Sequence, residues 1–215
     1  MPNVYPGYRK EAKSRVIKAA VSLFSKKGYH DTTMDDIAGE LGVSRGAIYL
    51  YFESKEAILQ EIFLLNQECL RKMLEQYGEG PDPLKTAEMV FDKITESKKA
   101  RMPIHFEIVS RASNDETIKR ILLEDNGRDV KVVQAFVQHH MDRGNIRNDV
   151  DPRILAELII SLAMRSMEKM IIGVNESEVR RTWSESLALI LGIKKELIPQ
   201  ASGTEGPSQD RLRST

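Results

Sequence analysis

Apolar residues recur at spacings of three and four along almost the whole chain, and nowhere alternate with polar ones over a strand's length. Side chains that share one face every 3.6 residues belong to amphipathic helices, so the chain reads as all-α. Val16, Ala20, Leu23 and Phe24 form the first stripe, closed by Gly28 in the position a C-terminal glycine prefers. Thr33, with Asp36 three residues on, is a capping-box signal for a short helix with Met34, Ile37, Ala38 and Leu41 inward. Gly42-Val43-Ser44 is a tight turn, and Ser44 caps a second short helix from Arg45 to about Phe52. Ser54 caps a long helix over about 55–77 that carries Ile58, Leu59, Ile62, Phe63, Cys69, Leu70 and Met73, and Gly78-Glu79-Gly80-Pro81 ends it.

The remainder continues in the same way. Asp82-Pro83 and Asp151-Pro152 each supply an N-cap followed by proline at the first helical position. Helices are predicted over 83–97, 103–112 (with Ile104, Ile108 and Val109 on its apolar face), 116–143, 152–172 and 176–192, about nine in all. The 152–172 segment is apolar nearly all round, and such a helix must be covered on both sides. From Pro199 onward the chain is dominated by Gly, Ser, Thr, Pro and charged residues, which reads as a disordered tail over 199–215.

Composition excludes several classes. The 32 basic and 32 acidic residues cancel, which rules out a uniformly basic nucleic-acid coat but not a local patch. Such a patch lies at the start, where residues 1–30 hold Arg9, Lys10, Lys13, Arg15, Lys18, Lys26 and Lys27 against Glu11. A single cysteine excludes an internal disulfide and a multi-cysteine zinc site. No apolar run approaches the ~20 residues of a membrane span, and the polar N-terminus lacks a signal-peptide core, so a cytoplasmic protein without membrane association is expected. Four histidines, two of them adjacent at His139 and His140, do not have the spacing of a helical metal pair. No Gly-rich phosphate loop, nucleophile elbow or acid/base pair is present, so neither an enzyme nor a cofactor is expected.

The stretch 32–55 carries the functional signal. Two short helices joined by a glycine turn are what a helix-turn-helix requires, the second lying in the major groove of DNA. Ile37, Ala38, Leu41, Val43, Ile48 and Phe52 can form its small core. Ser44, Arg45, Gly46, Tyr49 and Tyr51 then face outward: Arg45 suits a guanine edge or a phosphate, the tyrosines a phosphate or a thymine methyl, and Gly46 a close backbone approach. The helix N-termini behind Thr33 and at Ser54-Lys55 favour phosphate, with Lys55 as a further phosphate contact. Spacing alone leaves open a pair of ordinary core helices.

The residues Phe24-Ser25-Lys26-Lys27-Gly28-Tyr29-His30-Asp31-Thr32-Thr33-Met34-Asp35-Asp36-Ile37-Ala38, followed by Gly42-Val43-Ser44-Arg45-Gly46-Ala47-Ile48-Tyr49-Leu50-Tyr51-Phe52-Glu53-Ser54-Lys55-Glu56-Ala57-Ile58-Leu59, closely resemble the TetR family of transcriptional regulators. The resemblance covers about residues 10–60; beyond that it is architectural, in helix number and in the two long C-terminal helices. It implies a DNA-binding domain over 1–54, a ligand-binding and dimerisation domain over 55–198, and a homodimer that offers one helix-turn-helix to each half of a palindromic double-stranded operator. It also implies a small-molecule effector that shifts the 55–77 helix and releases a repressor. The competing classes are a DNA-binding protein of the same fold that works through protein partners without an effector, and a helical enzyme or carrier whose motif is accidental.

Two further expectations concern the larger domain. The helices 152–172 and 176–192 should pair with the same helices of a second copy in a four-helix bundle. An effector pocket should form among the remaining helices, lined by Met89, Phe91, Met102, His105, Phe106, Phe136 and Trp183. No acidic residue stands among these, which favours a neutral or anionic lipophilic molecule over a cation. Cys69, on the stripe of the long helix, is expected to be a buried core thiol, and Met164, Met167 and Met170 to pack in the core or dimer interface, or to line the pocket.

Overall fold

A computed structural model describes residues 6–98 and 102–193, with the side chains of residues 6, 7, 97, 98, 102 and 103 excepted. The segment 199–215, read above as a tail, lies outside the described residues. All regular structure among them is helical: α1 Pro6–Lys27, α2 Met34–Leu41, α3 Arg45–Tyr49, α4 Lys55–Tyr77, α5 Pro83–Lys98, α6 Met102–Arg111, α7 Glu116–Asp142, α8 Pro152–Ile171 and α9 Glu176–Leu191.

The caps explain where the helices begin. Asp36 N donates to Thr33 Oγ1 at 3.1 Å and Thr33 N donates to Asp36 Oδ2 at 2.7 Å, a complete capping box at the start of α2. Ser44 and Ser54 accept from the Ala47 and Ala57 amides at 3.3 and 3.1 Å, opening α3 and α4. Gly42, at φ 66°, ends α2 in the left-handed conformation, and the amide of Val43 bonds back to Ala38 O. That turn throws the Val43 side chain outward, 41% exposed, and not into the core expected for it. The second short helix ends at Tyr49, three residues earlier than its apolar pattern suggests. The Tyr51 and Phe52 amides both bond to Ile48 O, and this turn returns Phe52 to the core.

Burial divides into two clusters, and α4 belongs to both. The first gathers Val16, Ala20 and Phe24 of α1, Ile37 of α2, Ile48 of α3 and Ile58, Leu59, Ile62 and Phe63 of α4. It continues into Ile104 and Ile108 of α6 and Ile118 and Ile121 of α7. The second joins Phe91 of α5, Val133 and Phe136 of α7, Leu155 and Ile159 of α8, and Trp183, Leu187 and Leu191 of α9, with Leu70 and Leu74 of α4 packed against it. Asn66, Leu70 and Leu74 therefore set the inward face of the second half of α4. Cys69 lies about 100° away and is exposed, which overturns the expected core thiol. Val109, about 100° round α6 from the buried Ile108, is likewise exposed, at 45%.

Gly127 sits inside α7 with no atom within 4 Å of where a Cβ would stand. Gly127→Ala should stabilise the chain by about 0.5–1 kcal/mol by lowering the entropy of the unfolded state. A rise in the urea midpoint at unchanged slope is the expected reading; a fall would show that α7 needs flexibility there.

Candidate nucleic-acid interface and effector cavity

The outer face of α3 is uncovered. Arg45, Gly46 and Tyr49 are exposed, as is Ser44 before them. Arg45 Nη1 lies 3.2 Å from Asp35 Oδ2, its Nη2 donates to Tyr49 OH at 3.1 Å, and its guanidinium stands 5.4 Å from the Tyr49 ring centroid. An exposed pair of this kind contributes little stability, so the guanidinium can exchange it for a base edge or phosphate at small cost. A Cβ at Gly46 would meet only Ser44 Oγ, at 4.0 Å, which leaves the helix surface open to close approach. Leu50, 73% exposed, adds an apolar side chain beside Tyr49. It lies on no apolar stripe, and the signal for it in the sequence is an apolar residue without a core partner next to the second short helix. On α1, which packs against α2, Arg9, Lys10, Arg15, Lys18 and Lys26 are exposed and add basic charge to the surface.

Three of the expected DNA-facing residues stand differently. Thr33 Oγ1 accepts from Asp36 N and donates to Asp36 Oδ2 at 2.6 Å, so its hydroxyl is spent on the cap. Lys27 together with Thr33 holds the Asp36 carboxyl far below the usual carboxylate range. Tyr51 is half-buried and packs against the first core, because the turn after α3 rotates it off the helix's outer face. Lys55 points inward: its Nζ donates to the carbonyls of Tyr29, Thr32 and His30 at 2.6, 2.8 and 3.1 Å, and lies 4.4 Å from the Tyr29 ring centroid. An ammonium has three protons, and here each has an acceptor, so none remains for a phosphate. Burial lowers its pKa from the ordinary lysine value.

The same loop is held from its other side. Glu107 of α6 accepts from the Tyr29 amide at 2.8 Å and the His30 amide at 2.6 Å, and Arg111 contacts His30 Nδ1. Tyr29 OH donates to Glu56 at 3.0 Å, and burial, then the neighbouring Glu56 charge, pushes its phenol well above the usual range.

A cavity of about 210 Å³ lies between the two cores, walled by α1 and by α4 through α9. Phe91, His105, Phe136 and Trp183 line it, with Phe91 stacked on Trp183 at 4.4 Å. Met164 and Met167 also line it. Trp183 is buried, and its Nε1 has no hydrogen-bond partner. Met89 and Phe106 do not line the cavity. Each falls about 200° round its helix from a lining residue, Ala87 and Ile104 respectively, leaving Met89 half-buried and Phe106 39% exposed. The Met102 side chain is outside the described residues. Asp125 and Asp129, one turn apart on α7, belong to the wall, so the argument that acidic groups are missing and a cation disfavoured does not hold. Neither lies on the apolar stripe of α7, so periodicity alone gives no sign that they face the cavity.

Among the described residues no helix is long and apolar enough to cross a membrane, and no cluster of His, Cys, Asp or Glu could hold a metal ion. The three inward hydrogen bonds of Lys55 can be tested directly. Lys55→Ala should destabilise the fold by about 2 kcal/mol, since hydrogen bonds to charged groups are worth about 1.5–3 kcal/mol. The salt dependence of DNA binding by the folded fraction should be unchanged; a slope lower by about one would restore Lys55 to the phosphate contacts.

Residues 16–62 match the model of bacterial regulatory proteins of the tetR family. YfiR of Bacillus subtilis (strain 168), an HTH-type transcriptional regulator, is 28% identical over 151 residues, covering 68% of this chain and 73% of that protein. With YerO and YuxN of the same organism the similarity is higher, 55% and 48%, but confined to 49 and 50 residues, so that the chain spans only 17% of the length of each. Salmonella enterica GusR has the same fold, with a TM-score of 0.75 at 21% identity over 89% of this chain and 100% of that one. So does FadR of Bacillus subtilis, solved in complex with stearoyl-CoA, with a TM-score of 0.66 at 21% identity over 84% of this chain and 98% of that one. These relatives are regulators and not enzymes. Over residues 16–62 the chain carries the DNA-binding region of tetR-family bacterial regulatory proteins, and it is similar over about two thirds of its length to an HTH-type transcriptional regulator.

Proposed function

We propose that the protein is a cytoplasmic, homodimeric repressor that a small lipophilic effector releases from a palindromic operator. Residues 1–54 form the DNA-binding domain and 55–198 the domain for ligand binding and dimerisation. The observation that carries this reading is the cavity. It is predominantly apolar, and Val21 and Phe24 of α1, a helix of the reading head, stand in its wall beside Phe91 and Trp183. A molecule that expands it must press on the head. FadR of Bacillus subtilis, bound to stearoyl-CoA, supports an acyl chain as the first probe of that space.

On the DNA side, the reading assigns Arg45 to a base edge, Tyr49 and Ser44 to phosphate, Gly46 to close approach and Leu50 to a thymine methyl. Arg45→Ala should cost about 1–3 kcal/mol of discrimination between an operator, recovered by selection from random duplexes, and unrelated DNA. Equal losses on both sequences would move Arg45 to the phosphate backbone.

Exposed apolar side chains on the last two helices support the dimer. Ile154 and Leu158 of α8 and Leu189 of α9 are 54%, 46% and 76% exposed, on helices whose other faces are already buried. A second copy related by a two-fold axis would cover this surface and hold the two α3 helices about 34–36 Å apart or somewhat wider. Sedimentation at micromolar concentration should give twice 24.4 kDa, and Leu158→Glu with Leu189→Glu should give the monomer and abolish operator binding. A wild-type monomer would contradict the arrangement.

For the effector, lauroyl-CoA titrated into the protein should change Trp183 emission and release operator over one concentration range. Release with no change at Trp183, the chain's one tryptophan, would place the effector elsewhere.

A further inference from the structure

Glu107 lies on α6, between cavity-lining Ile104 and His105 on one side and Ile108 on the other, but its carboxylate leaves the cavity and reaches the head. There it meets two consecutive backbone amides, with Oε2 accepting from Tyr29 N at 2.8 Å and Oε1 from His30 N at 2.6 Å. Gly28, at φ +88°, turns the chain so that these amides converge into an anion-binding nest. A Cβ at Gly28 would stand 3.1 Å from Glu107 Oε2, so the approach also needs the glycine. The carbonyls of Tyr29 and His30 are held by Lys55 of α4. The loop is thus gripped through its amides by α6 and through its carbonyls by α4, and it runs directly into the Thr33 cap of α2. The His30 amide, at the exposed end of this loop, could bond to water, and the half-buried Tyr29 amide needs a partner; both bond to a carboxylate from a helix that walls the cavity. Hydrogen bonds to an ionised acceptor are short and directional, which makes the link stiff.

We propose that Glu107 is a positioning residue that couples the cavity to the reading head. Displacement of Ile104, His105 and Ile108 by a cavity occupant moves α6; the carboxylate draws the 28–32 loop with it, and α2 and α3 follow. This rests on the reading of the cavity as the effector site.

The test needs no identified effector. Ala163 of α8 lines the cavity, so Ala163→Phe fills it with a side chain, and lauroyl-CoA provides a second means. The full-length chain, Ala163→Phe, Glu107→Ala and the double variant are compared for affinity to the selected operator, each filled form against its own parent. With Glu107 present, filling should weaken the operator complex about 10-fold, within the usual 5–150-fold range of coupling between sites. Without Glu107 it should weaken it less than about twofold by the same measure. Glu107→Gln, which keeps one good acceptor, should fall between and serves if Glu107→Ala does not fold. Hydrogen exchange separates coupling from simple support: Glu107→Ala should speed the Tyr29 and His30 amides while Ile48 of α3 keeps its protection. Equal weakening in both backgrounds, unchanged exchange at Tyr29 and His30, or loss of protection at Ile48 in both Glu107 variants overturns the proposal. If neither filling nor lauroyl-CoA affects the operator complex when Glu107 is present, the cavity reading itself fails and the coupling falls with it.

Discussion

Helix α4 is packed into two cores at once, and the rest of the architecture follows from that. Ile58, Leu59, Ile62 and Phe63 are buried with the side chains of the reading head, while Leu70 and Leu74 pack against the bundle. Ile104, Ile108, Ile118 and Ile121 carry the head's own core into α6 and α7. Fully burying each of these side chains is worth about 1.5–3 kcal/mol, so the head cannot detach from the bundle without exposing several of them. It can shift only as its supports shift.

Between the cores the packing gives way to polar contacts and to open space. The loop over 28–32 has no helix to satisfy its backbone, and it draws Lys55 and Glu107 from two different helices to do so. Directional bonds at this point and pliable side chains such as Met164, Met167 and Phe91 around the cavity form a natural division of labour. The wall can adapt to an occupant, while the joint passes the adjustment on. Discrete side-chain arrangements of this kind are how packed proteins convert small displacements into a switch between states.

Local chemistry was legible in the sequence wherever it was self-contained. Thr33 with Asp36, Ser44, Ser54 and Asp151 name their helix starts because the cap and its amide are neighbours along the chain. The family resemblance rested on the same local pattern. What stayed hidden depends on partners far away. A lysine at a helix start beside a DNA-reading motif reads as a phosphate ligand until the carbonyls of Tyr29 and Thr32 are seen to surround it. Glu107 sits on an ordinary helix and finds its amides 78 and 77 residues away. Periodicity located Phe91, Phe136 and Trp183 at the cavity because the core needs them on the same faces. It failed for Met89, Phe106 and Cys69, where only the direction of the helix relative to its neighbours decides between inside and outside.

The central claim is that the cavity and the DNA-reading surface are two sites of one equilibrium. Linkage requires that whatever factor an occupant imposes on operator affinity, the operator imposes on the occupant. The direct measurement is the dissociation constant of lauroyl-CoA for the free protein and for the protein saturated with operator, by Trp183 emission. The account predicts weaker binding to the operator complex, by the same factor that lauroyl-CoA weakens operator binding. Equal affinity for the two forms would contradict it.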